Sequence, residues 1–252
     1  MRRKLVLRSI AIVFLAWTST SELQAQRGGP AGPPPAPRAA AAIDVTGTWV
    51  PLITEDWRHR MVTSRKGDYE SVPLTAEGRR VADTWDPAKD QAAGEQCRGY
   101  GAPGVMRLPG RIRVSWDNDN TLKVETEAGT QTRLFHFGNA QPPAGAPAFQ
   151  GHSVASWDET VGPRGRPTSG TLKVVTNRLR PGYIRKNGVP YSANAVVTEW
   201  YDRITSPNGD NWLIVTNEVV DPQYLGQPFL TSAHFKKLPD GAPFSPEACS
   251  AR

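Results

Sequence analysis

The stretch RIRVSWDNDNTLKVETEAGTQTRLFHF, residues 111–137, alternates apolar and polar side chains at a period of two, with two short polar breaks. In its middle segment Leu122, Val124 and Thr126 share one face, and Lys123, Glu125 and Glu127 share the other. That period sets one side of a pleated ribbon against a core and the other in water, which no helix can do with the same spacing. The stretch therefore predicts an antiparallel meander of three strands with one wet face. The same signal returns in 45–53, 57–63, 150–158, 171–179, 195–204, 211–220 and 228–238. The connections are rich in Gly, Pro, Asn and Asp, and residues 180–194 read as an irregular turn region. One short helix is expected in LTAEGRRVADTWDP, with Thr75 as N-cap, apolar positions at Ala76, Val81 and Trp85, and Asp86-Pro87 as the stop. About nine or ten closely spaced strands with so little helix predict an all-β, closed or nearly closed antiparallel barrel.

The barrel does not begin at residue 1. MRRK is a basic start, LVLRSIAIVFLAW an apolar run and SELQA a small-residue cleavage site, so residues 1–25 read as a secretory signal peptide. The apolar run is shorter than the roughly 20 residues a spanning helix needs, and no integral membrane segment is expected after cleavage. Residues 26–43, QRGGPAGPPPAPRAAAAI, contain almost no large apolar side chain and read as a disordered Pro/Ala/Gly-rich linker. Residues 44–252 are then a single barrel domain, in a protein expected to be periplasmic or secreted. Without the leader's four basic and one acidic residues, the net charge falls from +6 to +3. With no block of like charge, that surface excludes a nucleic-acid footprint. In an oxidising compartment the two cysteines, Cys97 and Cys249, are expected to form a disulfide.

Two resemblances follow. VTGTW, with Gly47, Thr48 and Trp49, resembles the Gly-x-Trp signature of lipocalin and avidin-like barrels. That resemblance implies an antiparallel lipocalin-like (calycin-like) barrel, with a tryptophan plugging one end and a late-strand cation, Lys236 or Lys237, packed on it. The segments YGAPGVMRLPGRI, TQTRLFHF, FQGHSVASWD, LKVVT, NGVPYSANAVVTEWYDR and EVVDPQYLGQPF together resemble a group of secreted bacterial β-barrel proteins of unknown function. In this chain Phe149, Asp158 and Tyr191 stand where that group's pattern has Trp, Glu and His. The resemblance implies fold and export and carries no reaction.

The polar residues of the strands supply the candidate chemistry. If His152, Asp158 and Glu199 face one lumen, a carboxylate orients the imidazole for proton transfer and Arg133 holds an anion. In WRHRM, one side of a strand carries Trp57, His59 and Met61, the other Arg58 and Arg60. A solvated edge strand accounts for such charge. The sharper reading sends Arg58 or Arg60 into a polar lumen beside His152 and Arg133, with Trp57 and Tyr201 as aromatic lining for a ligand. No phosphate loop, dinucleotide fingerprint, HExxH or Gly-x-Ser-x-Gly occurs. The four histidines, at 59, 136, 152 and 234, carry no local metal spacing, so neither metal nor cofactor is expected. The favoured function is binding of a small, partly apolar organic ligand in the lumen. The alternatives are a cofactor-independent lyase, isomerase or hydratase using His152, and an envelope-associated structural partner. The sequence leaves oligomeric state open.

Overall fold

The structure, a computed structural model, describes residues 34–161 and 167–252. The leader 1–25, the linker up to residue 33 and part of the expected 159–170 loop lie outside the described residues. Nine strands close into a barrel: β1 (Gly47–Leu52), β2 (Ile112–Asn118), β3 (Thr121–Thr126), β4 (Gln131–Phe137), β5 (His152–Val161), β6 (Pro167–Asn177), β9 (Val196–Thr205), β10 (Asn211–Val220) and β11 (Phe229–Lys237). The order around it is β1-β11-β10-β9-β6-β5-β4-β3-β2, closed by Gly47↔Val114 and Trp49↔Ile112. The expected meander is β2–β3–β4. Its alternation is the burial pattern of β3, where Leu122 and Val124 are inside and Lys123 and Glu125 are at the surface.

Two features depart from the sequence reading, one in strand direction and one in where strands occur. β4 and β5 pair in parallel, Phe135↔Ser153 and Phe137↔Ala155. The long Pro/Gly-rich connection 138–151 carries the chain back along the barrel before β5 starts, as a parallel pairing requires. Residues 180–194 also hold structure: β7 (Gly182–Arg185) and β8 (Val189–Tyr191) form a separate hairpin, with every residue buried. A hairpin buried on both faces shows no period-two pattern, which is why the sequence reads as a turn region there.

The inner face is a packed core. Trp49, Leu122, Phe135, Val174, Leu213 and Phe235 are fully buried and belong to one cluster with Val105 and Met106. The latter two come from a short 3₁₀ turn, Val105–Arg107. A second cluster, including Tyr69, Ile184, Tyr191, Val197 and Val219, seats the β7–β8 hairpin on the barrel. Barrels of about this strand number have an interior that side chains fill.

Trp49 is fully buried in this interior, its Nε1 donating to the Val45 carbonyl at 3.0 Å. Lys237 pairs with it across β1 and β11 and sets its Nζ 5.7 Å from the ring centroid. Gly47 sits at φ +123°, and a Cβ there would lie 2.8 Å from Lys237 Cε. Glycine at 47 thus leaves room for the lysine that lies over the indole.

The expected helix forms but ends before Trp85, and a second helix starts at the expected stop. α2 (Ala76–Ala82) begins at Thr75, whose Oγ1 accepts from Gly78 N at 2.9 Å. Asp86 does more than stop it. Its Oδ1 accepts from Ala88 N at 3.0 Å and opens α3 (Pro87–Ala92), with Pro87 in the first turn. Residues 57–63 form no strand. Asp56 turns left-handed at φ 49°, and α1 (Trp57–Met61) follows as a single turn. Five residues are too few for periodicity to separate helix from strand, and tertiary bonds from Arg60 decide it. The linker is not free throughout: the Pro37 carbonyl accepts from Trp157 Nε1 at 3.0 Å.

Candidate functional site

Inside the barrel lies one buried charged group. Arg133 of β4 donates to both carboxylate oxygens of Glu199 on β9, Nη1 to Oε1 at 2.8 Å and Nη2 to Oε2 at 2.5 Å. Both side chains have zero exposure. Tyr201 Oη donates to Glu199 Oε1 at 3.1 Å, and Thr176 Oγ1 accepts from Arg133 Nη2 at 3.3 Å. Burial opposes the Arg133 charge, and the Glu199 carboxylate more than offsets it, so the guanidinium is held above its ordinary value. Burial, then Glu199, pushes the Tyr201 phenol well up, so it stays a neutral donor. With its charges paired, the group links three strands, β4, β6 and β9.

His152 is not part of it. Thr176 pairs with Ser153 and Val197, and Val174 with Ala155 and Glu199, so those positions face inward. His152 pairs with Asn177 on the opposite face. There its Nε2 donates to the Ala140 carbonyl at 3.1 Å, and its ring stacks on His136 with centroids 5.6 Å apart. Asp158, an even number of residues from His152 and exposed, shares that outer face. The expected trio is therefore not assembled: β5 carries His152 and Asp158 outward while β9 carries Glu199 inward.

The arginines of WRHRM also part company. Arg58 is largely exposed and donates to Asp68 Oδ2 at 2.5 Å. Trp57 is exposed too and lines no lumen. Arg60 turns in, its side chain about 1% exposed. Its Nε donates to the Arg107 carbonyl at 2.8 Å, and its Nη1 pairs with Glu55. Arg60 does not approach Arg133. It lines a cleft of about 450 Å³ outside the barrel core, with Met61, Tyr100, Leu108, Pro109 and Lys186.

Six pieces of chain build that cleft, two of them the stretches 108–110 and 127–129. α1 contributes Arg60 and Met61, and the 3₁₀ turn Gln96–Tyr100 contributes Tyr100. The β7–β8 turn contributes Lys186, whose Nζ lies 5.1 Å from the Tyr100 ring centroid. The last wall is the irregular segment Glu247, Ala248, Ser250 and Arg252. That segment is tied down by the Cys97–Cys249 disulfide, with Cα atoms 5.1 Å apart. Glu247 N donating to the Glu127 carbonyl at 2.8 Å and Ser250 N donating to Tyr100 Oη at 3.1 Å complete its attachment.

Beneath the cleft a cavity of about 30 Å³ shares its residues Arg60, Thr63, Leu108 and Lys186, and adds His59, Arg107 and Arg185. Arg107 Nη2 donates to Asp56 Oδ2 at 2.6 Å, and the same oxygen lies 3.9 Å from Arg185 Nη2. Burial pulls the Arg60 guanidinium below its ordinary value, opposed by Glu55 and reinforced by Arg107. Arg185 is lowered by burial first and by Arg107 next. Arg60 Nη2 and Arg185 Nε are buried with no hydrogen-bond partner among the described residues. Arg107, Arg185 and Lys186 were not legible as site residues. They lie in MRLPG and YIRKN with no spacing to link them, and the fold alone brings them to Arg60.

His59, Asp68 and Glu70 bring ligand atoms within 4.8 Å of one another, a group the sequence reading did not anticipate. The guanidinium of Arg58 already sits on Asp68, and Arg185 acts electrostatically on His59, so cations crowd the same place. No protein-family model, curated protein or solved structure matches the chain. Among the described residues no helix is long and apolar enough to cross a membrane.

Proposed function

We propose that this is an exported protein that binds a small, partly apolar organic molecule bearing a carboxylate or carbonyl. Its site is the cleft under α1 rather than the filled barrel interior. One observation carries the reading: a cavity of about 450 Å³ sets Tyr100, Leu108, Pro109 and Met61 against Arg60 and Lys186. The wall is mixed, with Glu127, Glu247 and Arg252 beside these residues, and a concavity in which apolar side chains and converging polar groups meet is a usual form of a small-molecule site. The disulfide and the leader-like start support export, and export fits the resemblance to secreted bacterial barrels. Native mass spectrometry of protein recovered from its own secretory compartment tests this. A retained mass is expected in the parent and its loss in Leu108→Glu, which sets a charge in the apolar wall. The same retained mass in both proteins, or none in either, overturns it.

A second reading, an envelope-associated partner, is favoured by the exposed Leu52, Trp57, Met61 and Val62 around α1. Photo-crosslinking from position 57 in intact cells tests it, and the absence of any crosslinked product refutes it.

A further inference from the structure

The small cavity under the cleft has a chemistry of its own. Three guanidiniums meet there and are linked to one another. Arg60 donates to the carbonyl of Arg107, and Arg107 and Arg185 reach the same oxygen of Asp56. With Lys186, whose Nζ donates to the Arg252 main-chain oxygen, they make four cations, and Glu55 and Asp56 supply the side-chain carboxylates paired with the three guanidiniums. Both carboxylates stand about a third exposed, while Arg60, Arg107 and Arg185 are buried. A buried guanidinium N–H without an acceptor costs free energy, and like charges packed together add to that cost. Arg60 Nη2 and Arg185 Nε are two such groups on residues that line one cavity.

Resting on the cleft reading above, we propose that this cavity is an oxyanion subsite. It takes the carboxylate of the ligand head-first between Arg60 and Arg185, while the apolar body lies along Tyr100 and Leu108. The size of the cavity agrees. About 30 Å³ holds a group of a few heavy atoms and not a whole organic ligand, and its shared walls with the larger cleft give a carboxylate a route in. A planar carboxylate offers lone pairs to more than one N–H at once, the geometry guanidiniums are built to meet. Thr63 and Lys186, common to both cavities, stand where head and body join. A neutral carbonyl in the same place would accept hydrogen bonds but leave the excess positive charge uncompensated.

The test pairs two probes of one shape, phenylacetate and phenylacetamide, titrated calorimetrically into the mature chain at fixed ionic strength. Hydrogen bonds to charged groups should favour phenylacetate by at least about tenfold, and Arg185→Gln should remove most of that advantage. Equal binding of both probes by the parent overturns the subsite and leaves the cleft reading standing. If neither probe binds, the cleft reading fails for bodies of this size, and acetate then reads the subsite alone. A melting temperature higher in acetate than in chloride at equal ionic strength, lost in Arg185→Gln, supports the subsite, and no difference overturns it. Should Arg185→Gln not fold, Arg60→Lys takes its place, because it keeps the charge beside Glu55 and removes Nη2.

Discussion

The buried ion pair of Arg133 and Glu199 makes a sharp statement about the barrel interior. Both side chains are fully buried, two hydrogen bonds join them, and Tyr201 and Thr176 fill further positions. Glu199→Gln keeps the shape and leaves the Arg133 cation without a counter-charge, which should cost about 3–5 kcal/mol. At about 2–4 °C per kcal/mol for a domain of this size, the melting temperature should fall by about 6–20 °C. Arg133→Met, which strands the carboxylate, should cost a similar amount. The double variant Arg133→Met/Glu199→Leu removes both desolvation penalties together. It should be more stable than either single variant, short of the parent because Tyr201 Oη loses its acceptor, worth about 1–3 kcal/mol. Chemical denaturation of the parent, Arg133→Met, Glu199→Leu and the double variant closes a double-mutant cycle, with Glu199→Gln measured beside them. A Glu199→Gln variant that melts within about 2 °C of the parent, or a double variant no better than the worse single one, would refute the view that this pair is structural. Ligand binding in the cleft should survive in every variant that folds, since neither residue lines it.

Trp49→Ala empties a fully buried position and should destabilise by about 3–5 kcal/mol; an unchanged melting temperature would show that the Gly-x-Trp geometry holds nothing together. Gly47→Ala should destabilise as well, because a residue at φ +123° with Lys237 Cε 2.8 Å from the new Cβ must push the lysine off the indole; a fluorescence spectrum and melting curve identical to the parent would count against it. Cys97→Ser/Cys249→Ser opens a loop of sequence separation 152, which chain entropy values at about 5 kcal/mol, and it should also weaken ligand binding because the freed segment is a wall of the cleft. Peptide mapping that finds both thiols free in exported protein would remove the basis for this. His136 is lowered by burial and by His152, and His59 by burial and by Arg185, so the unfolded chain binds more protons than the folded one. Their contribution to stability should be full above about pH 6.5 and lost as pH falls through the lower folded values. A melting temperature flat from about pH 7.5 to 5, or one no flatter in His136→Asn, would contradict it.

What the sequence determined by itself is what local periodicity can encode. Strands with one dry and one wet face, such as β3, print their burial in every second residue, and enough of them in one chain leave closure as the way to avoid open edges. The cap at Thr75, the disulfide and the contact of a late-strand lysine with Trp49 were legible because each is a short-range rule or a pairing with few competitors. What only the tertiary structure decided is everything that depends on which way a side chain points once distant segments meet. β4 and β5 pair in parallel, His152 and Glu199 fall on opposite faces, and the β7–β8 hairpin hides its period by burying both sides. Arg60 shows the limit most clearly. Its five-residue neighbourhood fits a strand or a turn of helix equally well. Bonds to Arg107 and Glu55, and the arrival of Arg185 and Lys186 from more than a hundred residues away, turn it inward. A barrel is written in the alternation of its strands, whereas a cleft between loops is a sum of long-range contacts that no local pattern carries.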